Sequence, residues 1–209
     1  MDLKHRLDLK FEGVSLEQAE KALIMLHGRG STAEDILSLS RHLGLTGFAL
    51  IAPQATNHTW YPYSFIAPTE ENEPWLASAV EVVGKTVEKI MDAGIAAENI
   101  YFLGFSQGAC LTLEYTARNA RRYGGIVAFT GGLIGDEIDP SIYKGDFEQT
   151  PVLLSTGDPD AHVPVDRVMA SAEIFKGMNA SETEKVYQGK SHSISINEVE
   201  HAKKVIFVK

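Results

Sequence analysis

Cysteine is nearly absent from this 209-residue chain: Cys110 stands alone, so no intrachain disulfide can form. A lone thiol suits a reducing compartment and points to a cytoplasmic protein. Long apolar runs are missing too. Nowhere does the chain offer the roughly 18 consecutive apolar residues of a membrane-spanning helix. The opening MDLKHRLDLKFEG alternates charged and apolar residues and lacks the apolar core of a secretory signal. Stable membrane insertion is therefore not expected. No run of Lys or Arg stands out against a formal net charge of −9. That argues against a phosphate-backbone binder, so no nucleic-acid partner is expected. A small anionic substrate held by one local cation is still compatible with this charge. Repeats, low-complexity tracts and linkers are also lacking, and the length suits a single domain over 1–209. What is present, 44% hydrophobic and 22% charged residues, is enough for a core that needs no disulfide.

Short apolar runs alternate with longer amphipathic ones. Ala22–Leu26, Phe48–Ala52, Ile100–Phe105, Gly125–Phe129 and Val152–Leu154 read as strands covered on both faces, as in a parallel sheet. His5–Phe11 alternates and reads as an added edge strand. Ser31 and Glu34 predict a capping box that opens a helix through about Leu43, stopped by Gly44. Leu76, Val80, Val83, Val87 and Ile90 recur at helical spacing, with a stop at Gly94. Further helices are expected over Gln107 to about Arg122, over Val165 to about Met178, and after Asn197. Alternating strand and helix predicts an α/β sheet with right-handed crossovers.

One junction carries chemistry. Gly104-Phe105-Ser106-Gln107-Gly108 matches the strand–turn–helix pattern G-x-S-x-G. In that turn a serine sits at positive φ, and a β-carbon two positions to either side would strike a neighbouring strand or helix. Its hydroxyl is lifted to the N-terminus of the next helix, where free N–H groups favour developing negative charge. A serine hydroxyl needs a base, itself oriented by an acid. These partners follow in the order serine, acid, histidine. Of His162, His192 and His201, His192 lies in the small-residue turn Gly189-Lys190-Ser191-His192-Ser193 and is the expected base. The segment Gly157–Pro164 offers two acids. Asp160 is far enough past the strand end to turn back towards His192, whereas Asp158 can bond its own loop in an Asx-type turn. The backbone N–H of Gln107 and that of Arg29, in the Gly-rich segment Leu26–Ser31, are the expected oxyanion donors. His27 reads as structural. Cys110, one turn beyond Ser106, reads as a small buried hydrophobe rather than a rival nucleophile.

These segments together resemble the phospholipase/carboxylesterase family of α/β-hydrolases, relatives of acyl-protein thioesterases. LHGRGST at Leu26–Thr32, APQ at Ala52–Gln54, Trp60, GFSQGA at Gly104–Ala109, FTGGLIG at Phe129–Gly135, GDPDAHVP at Gly157–Pro164 and GKSHS at Gly189–Ser193 carry the resemblance. It implies an α/β-hydrolase fold without a large cap, and a serine esterase with Ser106, Asp160 and His192 as its triad. It also implies oxyanion amides at Arg29 and Gln107, no metal and no cofactor. The better-known thioesterases carry HGLGD in the first loop, where this chain has Arg29 and Ser31. The aromatic loop Asn57–Phe65 is expected to line an acyl pocket through Trp60 and Tyr61, or else to pack as core under a long loop. Expected substrates are small acyl esters of short to medium chain, with lysophospholipids or thioesters as further options. A homodimer is compatible with base rates among soluble oligomers. Rival readings are a non-catalytic binding protein on the same fold and an amidase.

Overall fold

Residues 4–207 are described in the structure, a computed structural model. Seven strands form one sheet in the order β1-β3-β2-β4-β5-β6-β7. They are β1 (Leu9–Gly13), β2 (Lys21–Leu26), β3 (Phe48–Pro53), β4 (Ile100–Phe105), β5 (Gly125–Phe129), β6 (Pro151–Asp158) and β7 (Ser181–Gln188). Only β1 runs antiparallel to its neighbour; β2 to β7 are parallel. The helices are α1 (Ala33–Ser38), α2 (Trp75–Asp92), α3 (Gln107–Arg118), α4 (Val165–Gly177) and α5 (Ile196–Ala202).

Alternation along the strands splits the core into two layers, because successive side chains point to opposite faces. Ile24, Leu26, Ile51, Phe102, Ala128 and Leu154 face α2, α3 and α4. Leu23, Met25, Leu50, Leu103, Val127 and Leu153 face α1 and α5. The continuous apolar runs thus mark strands buried on both sides, as expected of parallel sheets. Among the described residues no long insertion forms a cap over this sheet.

Several boundaries differ from the sequence reading, three of them for a reason visible in side-chain bonds. The capping box of α1 lies one residue later: Thr32 Oγ1 accepts from the Asp35 amide at 3.1 Å, and Asp35 Oδ2 accepts from the Thr32 amide at 3.1 Å. Ser31 instead donates its hydroxyl to Asp35. That helix then tightens into a 3-10 turn at Leu39–His42 rather than staying α-helical to Leu43. Helix α3 ends at Arg118, not Arg122, because Asn119 leaves helical dihedrals and its side-chain amide donates to the Tyr115 carbonyl. The edge strand begins at Leu9, since His5 turns inward: its Nε2 lies 2.8 Å from the Trp60 carbonyl and its Nδ1 accepts from the Thr56 amide.

The parallel strands deliver their loops to one end of the sheet. His27–Ser31 follows β2, Ser106 follows β4, Asp160 follows β6 and His192 follows β7. That end, beyond the carboxyl termini of the strands, is where open α/β sheets bind ligands. Ser106 itself has φ 53° and ψ −119°, a conformation a non-glycine residue adopts only at a cost. Its neighbours show why the turn persists. A β-carbon on Gly104 would lie 2.3 Å from the Gly108 carbonyl oxygen, and one on Gly108 would lie 2.1 Å from the Leu26 oxygen. Both contacts are backbone, so neither can yield by a side-chain rotation. Gly108→Ala is therefore expected to destabilise the fold by at least about 2 kcal/mol, read as a lower melting temperature, whereas Gly177→Ala, which meets open space, should leave it within a degree or two.

Candidate active site

Three side chains from three loops meet in line. The His192 Nε2 lies 2.8 Å from Ser106 Oγ, and its Nδ1 lies 2.9 and 3.1 Å from the two oxygens of Asp160. The network assigns the proton to Nδ1, so that Nε2 accepts from the serine hydroxyl. The Asp160 side chain is buried. Burial alone would raise its pKa, but the His162 and Val163 amides, donating at 2.8 and 2.9 Å, and His192 outweigh it and hold the carboxyl below the usual range. Asp158, the competing acid, accepts from the Gln188 side chain instead and ties β6 to β7. His162 packs its ring edge-on against His192, 4.9 Å between centroids. His201 faces the Tyr187 hydroxyl, away from this group.

Arg29 and Gln107 border the same cavity as Ser106. Among the described residues neither backbone N–H has a protein acceptor, so both remain available to a developing oxyanion. Their side chains hold the aromatic loop. The Arg29 guanidinium donates to the Pro62 and Tyr63 carbonyls at 2.7 and 2.6 Å. Gln107 Oε1 accepts from the Trp60 amide at 2.9 Å, and its Nε2 donates to the Tyr61 carbonyl at 2.8 Å. The residue after Ser106 thus fixes the loop that shapes the cavity. His27 is buried; its Nδ1 lies 2.8 Å from the Gly28 carbonyl, its Nε2 accepts from the Ala55 amide, and burial pushes its pKa down.

The cavity beside Ser106 is about 460 Å³, lined chiefly by Arg29, Tyr61, Tyr63, Phe65, Cys110 and Val163. Tyr61 is therefore at the cavity wall, but Trp60 is not. Trp60 is fully buried, its indole N–H donating to the His27 carbonyl at 2.9 Å and its ring packed on His27 and His5. It supports the loop from beneath, which corrects the expectation that it lines the pocket. The reason is the indole N–H, a buried donor that needs an acceptor, and the His27 carbonyl lies in the core.

Several supporting residues carry little or no signal in the sequence. His5 stood in an alternating run and gave no sign of burial. Glu114 on α3 is buried, paired with Arg118 at 2.6 Å, and accepts from the Ile134 amide and the Tyr143 hydroxyl, each at 3.1 Å. Beneath the His192 loop the largely covered Lys190 ammonium pairs with the buried Glu198 at 3.2 Å. Glu114, the one charged residue within Ala109–Ala117, is the one trace that could have been read.

The chain is similar to known proteins along nearly its whole length. The Phospholipase/Carboxylesterase family model matches residues 14–208. Acyl-protein thioesterase 1 of Kluyveromyces lactis is 28% identical over 205 residues, 88% of this chain and 90% of that protein. A probable carboxylesterase, SOBER1-like, of Arabidopsis thaliana is 27% identical over 202 residues, 88% of this chain and 76% of its own length. Among solved structures, a phospholipase/carboxylesterase from Dyadobacter fermentans is 56% identical with a TM-score of 0.97, covering 98% of both chains. The fold is that of the α/β-hydrolases, with the expected mostly parallel sheet and helices on both faces.

Cys110 also touches the cavity, one helical turn past Ser106, and burial pushes its thiol up to about 12. It is 1% exposed. A thiol needs its thiolate to react, so alkylation by iodoacetamide at pH 8.5 should be slowed on the order of a thousandfold relative to an exposed cysteine, given that pKa. One equivalent should react after unfolding in urea. Rapid labelling of the folded protein would contradict this placement.

Proposed function

The chain belongs to the phospholipase/carboxylesterase family and is an ester hydrolase, and from that premise we propose that it cleaves short- to medium-chain acyl esters through an acyl-enzyme on Ser106. The observation that carries this reading is the unbroken line from Asp160 through His192 to the Ser106 hydroxyl, with a 2.8 Å contact at its reacting end. Ser106 Oγ attacks the carbonyl carbon as His192 Nε2 takes its proton. The carbonyl electrons move onto oxygen, where the amides of Arg29 and Gln107 receive the charge. Each such donor is worth about 3 kcal/mol of transition-state stabilisation in comparable sites. Collapse expels the alcohol or thiol, protonated by His192. Water, deprotonated by the same imidazole, then releases the acid and restores Ser106. Asp160 keeps the Nδ1–H tautomer and stabilises the imidazolium that forms at each step.

A cavity of about 460 Å³, walled by Tyr61, Phe65 and Cys110, supports short and medium acyl chains over long ones. The same proposal takes 1–209 as one catalytic domain working in a reducing, cytoplasmic setting on a small ester. Thioesters are included, because attack on either carbonyl gives a tetrahedral oxyanion in the same place, where the two amides receive it. Among the described residues no helix is long and apolar enough to cross a membrane.

A p-nitrophenyl ester series from acetate to palmitate tests both halves. Turnover should peak between about four and eight carbons and fall by at least roughly 10³-fold in Ser106→Ala, with residual rate left by the amides. Covalent labelling by a fluorophosphonate should require Ser106. Wild type that is folded yet neither turns over esters nor takes the label would overturn this reading.

A further inference from the structure

The loop that carries His192 contains no apolar anchor of its own; it reads Gly189-Lys190-Ser191-His192-Ser193. What holds it is a charge. The Lys190 side chain, 9% exposed, folds under the loop and donates to the Ser193 carbonyl at 2.6 Å, with the Ser191 carbonyl at 3.5 Å. Those two carbonyls belong to the residues on either side of His192. The same ammonium reaches Thr130 Oγ1, just past β5, at 3.3 Å, and Glu198 Oε2 on α5 at 3.2 Å.

Glu198 is fully buried and has its own fixed partners. Its Oε1 accepts from Ser155 Oγ on β6 at 2.7 Å, and its Oε2 from the amide and hydroxyl of Ser195 at 2.9 and 3.0 Å. The ion pair therefore joins β5, β6, the base loop and α5 at one point. The backbone allows no slack there either: a β-carbon on Gly157 would lie 2.2 Å from the Lys190 carbonyl oxygen. Two charges out of water are costly and need compensating bonds. Here those bonds run to the peptide units that aim the imidazole.

We propose that Lys190 is a positioning residue for His192: its ammonium, anchored on Glu198, grips the carbonyls flanking the base and fixes the His192–Ser106 distance. This rests on the reading of His192 as the base. Lys190 touches no reacting atom, so its loss should fall on the chemical step rather than on substrate binding. Lys190→Met is expected to lower kcat by roughly 30- to 100-fold, the scale of a one-ångström misplacement, with KM within about twofold. Glu198→Gln, which leaves Lys190 on the two carbonyls, should lose less than about tenfold.

The discriminating variant is Lys190→Met/Glu198→Gln, in which no buried charge is left unpaired. It should melt close to wild type and still show the low kcat. Wild-type kcat in that double variant would overturn the proposal, because Lys190 would then serve only to neutralise Glu198. A second measurement does not depend on that variant folding. In a His192→Ala background, with activity supplied by added imidazole, Lys190→Met should cost nothing further. An equal loss in both backgrounds would place its effect elsewhere and overturn the positioning role. Wild type inert towards esters and fluorophosphonate would instead refute the esterase reading itself.

Discussion

A β-carbon on residue 108 would come within 2.1 Å of the Leu26 carbonyl oxygen, and this close approach of α3 to β2 sets the geometry of everything above the sheet. Because α3 sits so near, its N-terminus opens beside the loop that follows β2. The free amides of Gln107 and Arg29 therefore border one cavity instead of facing different solvent. The left-handed Ser106 is the price of that approach. It is held by the strand before it and by its own amide, which donates to the Phe129 carbonyl at 3.0 Å. Strain of this kind survives only where the surroundings over-determine it.

Around this fixed point the flexible parts are fastened by polar contacts that have few alternatives. Arg29 and Gln107 tie down carbonyls of the aromatic loop. His5 and His27, both buried and pushed towards the neutral form by burial, accept from amides of Thr56 and Ala55. Glu114 holds the amide of Ile134 from inside α3. Each of the buried groups among these, Gln107, His5, His27 and Glu114, would cost about 1–3 kcal/mol if left unpaired in the interior, so the loops they hold have one favoured arrangement. Specific geometry at the site thus comes from buried hydrogen bonds, and bulk stability from the two apolar layers.

The sheet and the site were legible in the sequence for different reasons. Strands such as Leu23–Leu26 and Ile100–Leu103 announced themselves through uninterrupted apolar residues, because both their faces are covered. Ser106, Asp160 and His192 were findable because each lies just past a strand, flanked by glycine, proline or small residues. Trp60 misled, since an aromatic in a functional loop looks the same whether it lines a cavity or supports it; only the acceptor of its indole N–H separates the two. The end of α3 and the start of α1 moved by one to four residues, as competing caps such as Thr32 and Asn119 are local choices settled by side-chain bonds. A pair that spans a loop and a helix, such as Lys190 with Glu198, leaves no periodic trace at all.

Intact-mass analysis during turnover would show whether Ser106 carries the acyl group. Rapid acid quench of the protein with a slowly deacylating ester, followed by peptide mapping, should find one acyl group, attached to the peptide that contains Ser106. An acyl group on another residue, on Cys110 above all, or steady ester hydrolysis with no covalent adduct trapped at any quench time, would contradict the account.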